Sequence, residues 1–189
     1  IGSCVVTGGG YHTCALADGD VWCWGKNSDG QVGVDTDGAD VPTPRKVEAL
    51  LDGTNGYNVI EVSAGSYHTC AVATVARWES PGSVPDGQVW CWGYNKYGQV
   101  GDDTDGVDVL EAHSVPGLTG RNVTGVSAGR YHTCAVAGGD VWCWGRNSDG
   151  QIGIGDTNGD DVTAPRKVEA LDDHNVVEVT AGGYHTCAV

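Results

Sequence analysis

Cysteine and histidine recur in this chain at spacings that could ligate zinc or close disulfides. Tyr-His-Thr-Cys stands at 11–14, 67–70 and 131–134, each time followed by Val-Trp-Cys-Trp-Gly at 21–25, 89–93 and 141–145. His12, Cys14 and Cys23 could supply three ligands of a zinc site, which wants four in a tetrahedron. No fourth ligand recurs. The rival chemistry is covalent. With Asp18-Gly19 as a two-residue type I′ turn, Leu16 faces Val21, Ala15 faces Trp22 and Cys14 faces Cys23. Counting outward makes Cys14–Cys23 a non-hydrogen-bonded pair with Cα atoms about 4.5 Å apart, inside the disulfide range of about 4.4–6.8 Å. A Gly138-Gly139 turn places Cys134 opposite Cys143, and Cys70 and Cys91 keep the same positions across a longer excursion. The disulfide reading is adopted, and it implies an oxidising compartment. Cys4 and Cys187 are left over. They could pair with each other, pair between chains, or find partners in sequence outside these residues.

A second recurring set is acidic. Asp35, Asp37 and Asp40, then Asp103, Asp105 and Asp108, then Asp156, Asn158 and Asp161 all fit Asp-x-Asp/Asn-Gly-x-Asp. Calcium takes six to eight oxygens, and closely spaced carboxylates on a glycine turn can supply several. Asp, Asn, Thr and Gly are also ordinary turn formers that bond their own backbone. Both readings stand, with calcium the only cofactor expected.

Some residues occur once. The excursion within 71–88 carries Arg77 and Trp78, followed by Pro81 and Pro85, a candidate partner contact or a loop folded onto its own blade. Asn122-Val123-Thr124 is an N-glycosylation sequon. His113 and His174 read as surface residues. No nucleophile elbow, phosphate loop or His-Glu-x-x-His occurs. An active site normally needs one unique constellation, and repetition argues against one. No enzyme is expected.

The elements that carry these residues follow from the repeat. The Tyr-His-Thr-Cys copies, with a fourth at 184–187, start 56, 64 and 53 residues apart. About fifty residues of short apolar strands and turns per unit suggest propeller blades. The expected units are 1–66, 67–130, 131–183 and the start of a fourth at 184–189. With 31 Gly and no Phe or Met, the 7 Trp and 7 Tyr are expected to fill much of the core. Ten basic residues against 25 acidic give a net charge of −15, which disfavours nucleic acid and anionic membrane as partners. No apolar run reaches membrane-spanning length. Beginning at Ile1, the chain reads as a processed mature protein or a segment of a longer one.

Gly-x-Tyr-His-Thr-Cys-Ala, Val-Trp-Cys-Trp-Gly, Asn-x-x-Gly-Gln-x-Gly and Pro-x-x-Val (Pro44–Val47, Pro165–Val168) together resemble the regulator of chromosome condensation repeat across nearly the whole chain. The resemblance implies an all-β fold of four-stranded propeller blades in which the repeated His, Gly and Trp are structural. The paired cysteines look like a secreted bacterial branch of that family. Such propellers usually have about seven blades. Three full units and part of a fourth could be completed by another chain, or could stack into an open filament. The expected role is therefore a non-enzymatic extracellular structural or adhesive protein whose partners are copies of itself or another extracellular protein. A secreted binding or inhibitor module is the alternative.

Overall fold

A computed structural model describes residues 4–50, 57–75, 87–103, 106–156 and 158–189. The strands are β1 Val5–Gly8, β2 His12–Ala17, β3 Asp20–Gly25, β4 Val41–Lys46, β5 Tyr57–Ala64, β6 His68–Val75, β7 Gly87–Gly93, β8 Val109–Ser114, β9 Val123–Ala128, β10 His132–Ala137, β11 Asp140–Gly145, β12 Val162–Lys167, β13 Val179–Ala181 and β14 Thr186–Ala188. They form antiparallel meanders: three sheets of four strands, β1–β4, β5–β8 and β9–β12, and the pair β13–β14.

The sheets divide the chain differently from the sequence periods. β5, β9 and β13 precede their Tyr-His-Thr-Cys motifs, yet each pairs with the strand that follows it rather than with the unit before. Blade boundaries therefore fall near residues 47–56, 115–122 and 168–178, not at 66, 130 and 183. The inserted segment is also shorter than 71–88. Pairing continues from Ala71↔Trp90 to Thr74↔Gly87, because alternating apolar residues extend the hairpin beyond its usual turn. Arg77 and Trp78 lie outside the described residues, as do 51–56.

The hairpin β2–β3 has the register its turn demands, with Cys14↔Cys23, Ala15↔Trp22 and Leu16↔Val21. Asp18 and Gly19 both take positive φ, 53° and 85°, as a type I′ turn requires. Side chains alternate across the sheet. His12, Cys14 and Leu16 are buried, and Thr13, Ala15 and Ala17 are half-buried. The core is mainly valine, with Trp92 and Trp144 fully enclosed. The tyrosines depart from expectation. Tyr11 and Tyr184 are exposed, and Tyr67, Tyr94, Tyr97 and Tyr131 are half-buried.

The innermost strands β1, β5, β9 and β13 lie side by side and repeat one contact. Thr7 Oγ1, Ser63 Oγ and Ser127 Oγ accept from the backbone N–H of Ala64, Ala128 and Ala181 in the next blade, at 3.2, 3.0 and 2.9 Å. Among the described residues, no helix is long and apolar enough to cross a membrane.

Candidate functional site

The repeated cysteines and histidines come together, but as scaffold. Disulfides join Cys14–Cys23, Cys70–Cys91 and Cys134–Cys143, each with Cα atoms 4.1 Å apart and all six residues fully buried. The histidines face away from a zinc geometry. His12 Nε2 lies 2.7 Å from Thr69 Oγ1, His68 Nε2 2.8 Å from Thr133 Oγ1, and His132 Nε2 2.9 Å from Thr186 Oγ1. Each threonine gives its own proton to a glutamine carbonyl of the preceding blade, Gln31, Gln99 or Gln151, at 2.8 Å. A hydroxyl has one proton, so the imidazole must donate, and the Nε2–H tautomer follows. Burial lowers the pKa of His12 and His132 to about 4 and that of His68 to about 3, where the neighbouring His132 and His12 add to the effect. All three rings are neutral at ordinary pH.

The tryptophans complete this joint. Trp92 Nε1–H and Trp144 Nε1–H donate to the same carbonyls, Gln31 and Gln99, at 3.1 and 2.9 Å. A Cβ on Gly33 or Gly101 would sit 2.7 or 2.5 Å from those indole nitrogens. The third slot, at Gln151–Gly153, is instead an open pocket lined by Val141, Leu171 and His185.

The acidic loops bond through their carboxylates to nearby backbone and, at Asp103, to the next blade. Asp40, Asp108 and Asp161 accept from the backbone N–H of Asn27, Asn95 and Asn147 at 3.2, 3.0 and 3.2 Å. Asp35 and Asp156 accept from the N–H two residues on, at 3.1 and 2.9 Å, as in an Asx turn. Asp103 accepts from Thr163 Oγ1 at 2.8 Å. Asp105 lies outside the described residues, among which no cluster of three or more His, Cys, Asp or Glu is placed to hold a metal. Asn122 is exposed, in a left-handed turn of φ 53°. His113 and His174 are exposed, and so are Cys4 and Cys187, which carry free thiols and do not pair with each other.

What the motifs hid is a surface. Strands run antiparallel, so the β1–β2 and β3–β4 connections of every blade emerge at one end. There Tyr11, Tyr67 and Tyr131 form a row with ring centroids 5.3 Å apart at each step, and Tyr67 and Tyr131 are nearly parallel at 8°. Tyr94 and Tyr97 join it edge-on or tilted. Lys26, Arg130 and Arg146 lie over these rings at 5.2–6.0 Å, within cation–π reach. The only sequence signal was that every repeat carries Tyr immediately before its structural His.

The Regulator of chromosome condensation (RCC1) repeat matches residues 18–72, 86–136 and 138–189, and a second description of the same repeat matches 4–31 and 123–151. The ultraviolet-B receptor UVR8 of Arabidopsis thaliana is 32% identical over 187 residues, 98% of this chain and 38% of the receptor. The E3 ubiquitin-protein ligase HERC2 of Homo sapiens is 33% identical over 183 residues, 95% of this chain and 3% of the ligase. A chain of the crystal structure of Kap60 bound to yeast RCC1 (Prp20) superposes with a TM-score of 0.80 at 26% identity, covering 97% of this chain and 41% of that one. Human WBSCR16 gives 0.78 at 26%, covering 100% and 45%. The chain thus spans less than half the length of these relatives.

Proposed function

This chain belongs to the regulator of chromosome condensation repeat family, and from that premise we propose that it is a non-enzymatic array of disulfide-stapled propeller blades that holds a protein partner on its tyrosine face. One observation carries the reading. The repeated His, Thr and Trp at the blade joints are engaged in packing, whereas the tyrosine row and its cations stay partly accessible, with Tyr11 and Tyr184 exposed. Tyr and Arg are the residues over-represented among binding hot spots. A relative has been solved in complex with Kap60, and another structure of the yeast protein concerns its binding to Gsp1p and histones. Those partners belong to those proteins.

The bridges support a reading of the compartment. Three buried disulfides in one short chain favour an extracellular or otherwise oxidising location. Assembly with further blades is supported by the repeat itself, in which each joint seats a tryptophan of the following blade, whether those blades belong to the same chain or to a copy of it. Calcium on the acidic loops is a secondary proposal, supported by the threefold carboxylate spacing; the backbone bonds there each use one carboxylate oxygen.

Two measurements test this reading. A photo-crosslinker at Tyr67 should capture a bound protein and one at Arg166, on an outer strand, should not; equal capture at both positions removes the tyrosine face. Native mass with and without reductant separates a self-assembling subunit from a monomer that takes a single partner.

A further inference from the structure

The tyrosine row breaks its own repeat at one end. The residue before each tyrosine is Gly10, Ser66, Arg130 or Gly183, and the residue after each β3-type strand is Lys26, Tyr94 or Arg146. Only the third blade has arginine at both places. The two guanidiniums lie over the same pair of rings. Arg130 Cζ lies 5.2 Å from the Tyr131 ring centre and 5.5 Å from that of Tyr184. Arg146 Cζ lies 5.7 and 5.6 Å from the same two rings.

Their neutralisation is incomplete. Arg146 Nη2 faces Asp149 Oδ2 at 3.4 Å and its Nε donates to Ser148 Oγ at 2.7 Å. Arg130 donates to the Tyr184 hydroxyl at 2.8 Å, and among the described residues no carboxylate pairs with it. In a chain of charge −15, two arginines over one pair of rings, of which only Arg146 has a carboxylate partner, are not what ordinary surface pairing produces. Placing like charges side by side is unfavourable unless an anion joins them. The guanidinium fork matches phosphate and similar oxyanions bidentately.

We propose that Arg130 and Arg146, with the hydroxyls of Tyr131 and Tyr184, bind a tetrahedral oxyanion, a phosphate or sulfate ester carried on a side chain of the partner protein. A single ester needs only these two cations. A nucleic acid would need a basic track, which the flanking acidic loops oppose. The protein source of the ester rests on the function proposed above; the anion site itself does not.

The direct test is titration with phenyl phosphate and phenyl sulfate at low salt, followed by NMR of the arginine Nε–H and tyrosine ring signals. Saturable shifts at Arg130, Arg146, Tyr131 and Tyr184 are expected. Affinity should fall at least tenfold in R130Q and in R146Q, and stay unchanged in R45Q and R166Q, which alter exposed outer-strand arginines. Unchanged circular dichroism confirms that the variants fold. Absence of saturable shifts, or affinity in R130Q and R146Q equal to that of the unsubstituted protein, overturns the site. Peptides bearing phosphotyrosine, sulfotyrosine or unmodified tyrosine then identify the source. Equal binding of the unmodified peptide overturns the ester requirement. Esters that bind a protein whose Tyr67 crosslinker captures nothing leave the site standing and remove the platform.

Discussion

His68 donates its Nε2–H to Thr133, sixty-five residues away, across 2.8 Å of fully buried space. The same hydroxyl donates onward to the Gln99 carbonyl, which also receives Trp144. One threonine therefore sits between two blades as both acceptor and donor.

Thr133→Val should lower stability by about 1–3 kcal/mol, the cost of leaving a buried donor unpaired. Thr43 is exposed on an outer strand, so Thr43→Val should change stability by less than about 0.5 kcal/mol. Urea melts of the two variants compare them directly, and equal losses would show that the clasp contributes nothing.

Acid should weaken the fold well before most carboxylates titrate. The ordinary histidine pKa near 6.5 applies to the unfolded chain, while burial lowers the native values to about 4 for His12 and His132 and about 3 for His68. Below about pH 6.5 the unfolded state takes protons that the native state refuses. The stability from neutral histidine is thus complete above that pH and is lost as pH falls toward 4 and 3. Each ring contributes roughly 1.4 kcal/mol per pH unit in that window. Chemical denaturation at pH 7, 6 and 5 checks the sign; stability that rises from 7 to 5 would contradict it.

Replacing Cys70 and Cys91 by serine should cost more than replacing Cys14 and Cys23. The closed segments span 21 and 9 residues, which loop entropy converts to about 3.3 and 2.6 kcal/mol. Both pairs are fully buried, so the intact fold should resist mild reductant. Thiol counting by mass spectrometry, native against denatured, tests that shielding.

Gly101→Ala should destabilise far more than Gly150→Ala. Both positions have positive φ, 80° and 73°, and share a backbone penalty of about 1–2 kcal/mol. At Gly101 the new Cβ would also meet Trp144 Nε1 at 2.5 Å, whereas at Gly150 it meets nothing within 4 Å. The difference in melting temperature isolates the contact.

The sequence made one blade legible and left the joints between blades obscure. Asp18-Gly19 sets the hairpin register, and register alone aligns Cys14 with Cys23. Nothing local says that Thr69 serves His12, because the bond links residues fifty-seven apart in sequence. The sheet boundaries were displaced for the same reason: Tyr-His-Thr-Cys marks where the motif begins, while pairing of β5 with β6 marks where the blade begins. The tyrosines were expected inside because aromatics carry large apolar area. Their position just before the buried histidine puts them at the strand entrance, where the loop opens to solvent. The acidic loops look alike in calcium sites and in turns, and the bonds that Asp40, Asp108 and Asp161 accept from backbone N–H add a capping role that spacing alone does not display.

At the inner rim, a Cβ on Gly9, Gly65 or Gly129 would lie 2.2, 2.4 or 2.6 Å from the carbonyl oxygen of Gly65, Gly129 or Gly182 in the following blade. Main chain thus touches main chain at every step, beside the side-chain joint, and this backbone contact recurs whichever residues a particular copy carries at its loops. Tandem duplication of one segment therefore supplies both halves of a working seam at once, so such arrays can gain or lose modules by recombination while the loops at their open end diverge freely toward new ligands.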